Sequence, residues 1–106
     1  EVGRVLNMMG LCCERSRNFE QALEHFQKAK TAFGDNHKDV GHAENNIGRI
    51  RRKMRDWEEA LKCHERALDI IGENDPEVGA VLHDMGDLHK DMGNHEPALE
   101  CYNRAL

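Results

Sequence analysis

Aromatic side chains are scarce: three Phe, one Trp and one Tyr make up 5% of 106 residues. That is too few for a thick single core, but it suits helices sharing a thin apolar layer. Proline occurs only twice, so little interrupts a helical chain. There is no basic excess. The formal net charge is -5, which argues against a nucleic-acid binder. No apolar run approaches the ~20 residues that span a membrane, so no membrane insertion is expected, and no signal-peptide pattern is present. Cys12, Cys13, Cys63 and Cys101 form no CxxC pair. Adjacent Cys12 and Cys13 point about 100° apart on a helix and make no ready chelate. Free thiols in a reducing cytosol, and hence a cytoplasmic protein, are expected. There is no GxSxG, no P-loop and no clustered-glycine phosphate cradle. No catalytic residue, cofactor or metal is therefore expected.

What the chain does have is a repeat. Val2, Val40 and Val78 stand 38 residues apart, as do Gly10, Gly48 and Gly86. The same spacing links Ala22, Ala60 and Ala98, then Leu23, Leu61 and Leu99, then Ala29, Ala67 and Ala105. Asn18-Phe19-Glu20 returns as Asp56-Trp57-Glu58 and as Asn94-His95-Glu96. The repeats divide as residues 1–38, 39–76 and a shortened 77–106.

Each repeat reads as two helices, giving six and an all-α fold. Val2, Val5, Leu6, Met9 and Cys13 fall at helical spacing, followed by Phe19, Ala22, Leu23, Phe26, Ala29 and Phe33. The same stripes recur in repeats two and three. Asn18, Asp56 and Asn94 are positioned to cap the second helices, with Gln21 and Glu59 three residues on, as in a capping box. Pro97 falls in a first turn, where its missing N–H does no harm. Gly34 and Gly72 suit left-handed helix ends, and Asp75-Pro76 reads as a cap followed by proline at the first helical position. Glycine in a helix costs roughly 1 kcal/mol against alanine. Its recurrence at one register implies a packing need, so Gly10, Gly48 and Gly86 are expected to face Ala22, Ala60 and Ala98 where paired helices cross.

A small Gly, then Ala-Leu, then Ala at these intervals resembles the tetratricopeptide repeat over nearly the whole chain. The linkers from Gly34 to Val40 and from Gly72 to Val78, with Asn45-Asn46-Ile47, resemble the kinesin-light-chain-like subgroup. This repeat has 38 residues against the family's usual 34, the extra four lying near Gly34-Asp35-Asn36-His37 and Gly72-Glu73-Asn74-Asp75. His64 stands where the family's second helix keeps an aromatic, as it does here in Phe26 and Tyr102. It is expected to be a half-buried core residue.

The resemblance implies a right-handed α-solenoid whose first helices line a concave groove for an extended peptide or a partner helix. Carried over position by position, the groove comprises Arg4, Asn7, Met8 and Leu11, then His42, Asn45, Asn46, Arg49, Arg52 and Lys53. Repeat three adds Ala80, His83, Asp84, Asp87 and Asp91. Asn46 matches an asparagine that family members use to bond a peptide backbone, which an amide can do as donor and acceptor. Asn7, Leu11, Ala80 and Asp84 stand where one subclass clamps a chaperone's C-terminal carboxylate, so that ligand is not expected. Arg49, Arg51, Arg52, Lys53 and Arg55 oppose Asp84, Asp87 and Asp91. Either the groove is polarised toward a partner of mixed charge, or the two sets pair across repeats and offset helix dipoles.

The expected function is a protein-interaction module of a scaffold or adaptor; the alternative is a structural subunit packed within a large assembly. His83 and Asp87 share a helical face at metal-site spacing, with His42 or His89 as possible third ligands, yet solvated groove residues are the expectation. Cys63 and His64 are helix neighbours pointing about 100° apart, poorly set for proton transfer. Leu99, Tyr102, Ala105 and Leu106 call for a further repeat or a capping helix. The native protein is accordingly expected to continue in both directions, or this face to meet another chain.

Overall fold

The computed structural model describes residues 1–34 and 38–106. Asp35, Asn36 and His37, read above as part of the four inserted residues, lie outside the described residues. Among the described residues there are six helices and no strands: α1 (Val2–Arg15), α2 (Phe19–Phe33), α3 (Lys38–Lys53), α4 (Trp57–Ile71), α5 (Val78–Asp91) and α6 (His95–Ala105). They pair as α1 with α2, α3 with α4 and α5 with α6. The hairpins stack in chain order, α2 against α3 and α4 against α5.

The apolar stripes close two core clusters. Ala22, Phe26, Ile47, Ile50 and Cys63 bury together, with Phe19 and Leu23 packed on them. Ala67, Ile71, Val78, Val81, Leu82, Met85 and Cys101 form the second cluster. Cys63 and Cys101 thus act as small apolar groups, and all four cysteines are free. Burial pushes both buried thiols up in pKa, which keeps them protonated and inert.

The recurrent glycines have a different partner from the one expected. A Cβ on Gly10 would come within 2.5 Å of the Phe26 ring. On Gly48 it would lie 2.8 Å from His64, and on Gly86 2.6 Å from Tyr102. Each glycine is a seat for the ring of the second helix, whose atoms are the nearest to a side chain added there. The reason is size: a ring reaches across the helix crossing to the opposite backbone. A second glycine column, Gly3 and Gly41, seats Phe33 and Ile71 in the same way seven residues earlier.

Helix ends differ from expectation in detail. Asn18, Asp56 and Asn94 occupy N-cap positions, but none makes a side-chain cap bond. Their ψ values of 77°, 74° and 84° fall well short of the extended backbone that turns a capping side chain over the first turn. Asn18 donates instead to Gln21 Oε1 at 2.9 Å. Helix α5 starts at Val78, not at Pro76, because Asp75 Oδ1 accepts the Glu77 N–H at 2.8 Å and closes a turn first. Gly34 and Gly72 do end helices with φ of 83° and 93°.

The first helix of each pair ends in a Schellman turn. Arg17 N–H reaches Glu14 O and Asn18 N–H reaches Cys13 O, at 3.0 and 2.9 Å. Arg55 and Asp56 repeat this, and so do Gly93 and Asn94. The residue in the left-handed position is glycine only in the third turn; Arg17 and Arg55 hold φ of 63° and 66°.

Candidate functional site: the polar ladder of the first helices

Helices α1, α3 and α5 lie side by side, and their facing polar groups obey one spacing rule. A carboxylate on one helix, or at its N-cap, sits between two donors four residues apart on the neighbouring helix. Glu14 takes Arg49 through Nε and Nη2 at 2.6 and 2.7 Å and Lys53 at 2.9 Å. Asp84 Oδ2 takes Asn45 at 2.8 Å and Arg49 Nη1 at 3.4 Å. Glu77 takes Lys38 at 3.2 Å and meets His42 Nε2 at 2.6 Å. Residues at i and i+4 share a helix face, so a repeat of constant length brings the same two donors over one acceptor. The closing rungs are Asn46 to Asn7 at 3.0 Å and Arg52 to Asp91 at 2.9 Å.

This decides between the two readings of the charge pattern. The cations Arg49, Arg52 and Lys53 are answered within the chain by Glu14, Asp84 and Asp91, so they do not present an open basic stripe in the groove. Asp87 turns away to accept the Tyr102 hydroxyl, which pushes that phenol up to about 12. Burial opposes the Glu14 carboxylate, but the hydrogen bonds and charges of Arg49 and Lys53 outweigh it and hold its pKa below the usual range. Glu14 was not among the sequence-derived groove residues. Its position one repeat from the donor pair Arg49 and Lys53 is the signal that would have found it.

The predicted groove residues therefore divide into three groups. Arg4, Met8, Leu11, Lys53, Ala80, His83 and Asp91 are exposed. Asn7, His42, Arg49, Arg52, Asp84 and Asp87 are half-buried, most of them held in the ladder. Asn45 and Asn46 are buried. Asn45, 4% exposed, faces inward: its Nδ2 donates to Asp84 while its Oδ1 lies 2.7 Å from His64 Nδ1. Since that oxygen can only accept, His64 carries its proton on Nδ1, and Nε2 is left buried without a partner. Burial, with Arg49, Arg52 and His89 nearby, lowers the His64 pKa to about 4. His64 is thus the neutral ring of repeat two, seated over Gly48. The sulfur of neighbouring Cys63 accepts from Arg66 Nη2 at 3.4 Å.

His83 Nδ1 stands 3.5 Å from Asp87 and 3.9 Å from Asp84. The third group brought to this pair is Asp84, and not His42, which is held by Glu77, or His89. Asp84 and Asp87 each already accept a protein donor through one oxygen, so the trio is a piece of the ladder with a solvated histidine at its rim.

The central rung is the most sensitive. Replacing Arg49 by methionine leaves Glu14 and Asp84 without their shared cation. We expect unfolding free energy to fall by about 2 kcal/mol, less than the ~3–5 kcal/mol of a fully buried pair. Urea denaturation of this variant and of Glu14→Gln checks it. Additive single and double losses would show that no coupling exists.

Stacked helical hairpins with seated rings and a ladder along the first helices define a repeat solenoid whose faces are built for contact. Two tetratricopeptide-repeat family models match the chain, one over residues 39–106 and one over residues 3–36. The chain belongs to the tetratricopeptide-repeat family. No curated protein matches it. Among solved structures it is similar to the crystal structure of BtubC (BKLC) from P. vanneervenii, with a TM-score of 0.83 and 27% identity over 98% of this chain. The match spans 45% of that protein's chain. The repeats are kinesin-light-chain-like and form an all-α solenoid of three repeats. The family is a protein-interaction fold, and no described helix is long and apolar enough to cross a membrane.

Proposed function

We propose that the groove of α1, α3 and α5 holds a partner peptide or helix, and that the chain is the binding module of a cytoplasmic scaffold or adaptor. One observation carries this reading. Met8 and Leu11 are 64% and 39% exposed on the same helix as Asn7, whose rung to Asn46 uses only one oxygen and one amide nitrogen. The Asn46 oxygen and the Asn7 amide nitrogen supply an acceptor and a donor for a peptide group beside two apolar contacts. Met8 also lines depressions on both its sides, one with Leu11, Cys12 and Arg15 and one with Arg4, Asn7 and His42.

The ligand class follows from what the ladder leaves. Asp84 and Asp87 disfavour a terminal carboxylate and Ala80 offers no cation, so a chaperone tail is a poor ligand. An internal segment with an apolar anchor suits the site. The test is selection of binders from a random peptide library, then remeasurement with Met8→Glu plus Leu11→Glu. Both side chains are exposed, so melting should not change while affinity falls at least about tenfold, the scale of burying one or two apolar side chains. Peptides bound equally by the double variant would remove this groove from the account.

A further inference from the structure

The turns ending α1 and α3 carry arginine where the backbone favours glycine. A side chain in the left-handed conformation costs roughly 1–2 kcal/mol, and Gly93 shows that the same turn closes without one. Arg17 and Arg55 nevertheless keep that conformation, and both are exposed. Among the described residues neither has a carboxylate partner, and neither does Arg15; Arg51, Arg52 and Lys53 beside them are answered by Asp56, Asp91 and Glu14.

These residues line two adjoining depressions. One is formed by Glu14, Arg15, Arg17, Phe19 and Lys53, the other by Arg52, Lys53, Arg55, Trp57 and Asp91. They are the same feature one repeat apart, and Lys53 belongs to both. Each has a half-buried aromatic in its lining, and Lys53 lies over the Phe19 ring at 5.7 Å. The third turn offers Lys90, Asp91 and Gly93 and continues no cationic track.

We propose that the edge made by the α1–α2 and α3–α4 turns is a docking surface for an acidic peptide segment, its carboxylates taken by Arg15, Arg17 and Arg55 with Lys53 between the two depressions. A guanidinium fork matches a carboxylate in a way a single ammonium does not. A nucleic acid fits less well. The cationic track stops after two repeats, short of the long run of evenly spaced phosphates that a nucleic acid presents, and Phe19 and Trp57 are both half-buried, which limits base stacking. This surface adjoins the groove and shares Arg52 and Lys53 with it, and Arg15 also lines the Met8 depression; Arg17 and Arg55 are not groove residues, so variants at these two positions test this reading apart from the groove.

The experiment uses a fluorescent hexaglutamate peptide and a single-stranded DNA oligomer of equal charge, titrated at low salt. The parent chain is expected to bind the peptide, with affinity falling as salt rises. Arg17→Gly plus Arg55→Gly should weaken peptide binding about tenfold while raising Tm, because strain and ligand contact reside in the same residues. Arg17→Gln plus Arg55→Gln should weaken binding equally without the rise. The proposal is overturned if the parent does not bind the peptide, if the glycine pair binds it as tightly or melts lower, or if only the DNA binds.

Discussion

Replacing Gly10 by alanine is expected to destabilise the chain by about 2–3 kcal/mol, although alanine is the better helix former. Helix propensity alone predicts a gain of roughly 1 kcal/mol. Packing predicts the reverse. The new methyl would sit 2.5 Å from the Phe26 ring, and that ring is completely buried among Ala22, Ile47, Ile50 and Cys63. It cannot swing away, so the two helices must separate, and overpacking of this kind typically costs 1–3 kcal/mol or more. The control is Gly79, where the nearest atom to a new methyl is a backbone oxygen at an ordinary 3.5 Å. Gly79→Ala should be neutral or stabilise by up to ~1 kcal/mol. Urea denaturation of both variants settles the matter. A Gly10→Ala variant as stable as the parent would show that Phe26 is not locked in its seat.

Acid should weaken the fold through His64 before it does so through the carboxylates. Above pH 6.5 the imidazole is neutral in both states. Between pH 6.5 and about 4 the unfolded chain takes up a proton that the buried ring refuses, so stability falls as pH falls. Below about 4 both states are protonated and the loss is complete. The depression corresponds to roughly 3 kcal/mol in total. Glu14, held below its ordinary value of 4.5, adds a loss in the same direction at lower pH. His64→Phe places in repeat two the ring that repeat one already has. It should lower stability at neutral pH, because Asn45 Oδ1 loses its donor, but flatten the profile between pH 6.5 and 4. Melting curves at half-unit intervals measure this. An unchanged slope in His64→Phe would sink the assignment of the pH dependence to this ring.

The two predictions rest on features that were unequally legible. The 38-residue recurrence is a property of the string of letters, and six helices follow from it because apolar spacing and local propensity act within a few residues. His64 was readable as a half-buried core residue, since it occupies the column of Phe26 and Tyr102; that it is completely buried was not. The glycine columns were visible as columns, but their partner was not: choosing Phe26 over Ala22 requires knowing how far a ring reaches across the crossing. The Schellman turns could have been anticipated from Gly93. Nothing local announces that Arg17 and Arg55 adopt the same backbone, because arginine is a poor choice for it and only the closed turn enforces it.

The candidate site divides along the same line. The residues themselves could be named in advance because a repeat fold places the first helix of each unit on one face. Which of them remain open could not. Asn45 turns inward, Asn46 pairs with Asn7, and Arg49 with Glu14 and Asp84 closes what sequence alone left as an open charge pattern. By itself, then, the sequence determined the helices, their pairing and the family, because periodicity and local backbone preference are short-range. Only the tertiary structure decided which polar groups are spent on holding the repeats together and which remain for a partner. That choice depends on side chains one repeat apart meeting across an interface, and their meeting is set by how the helices pack.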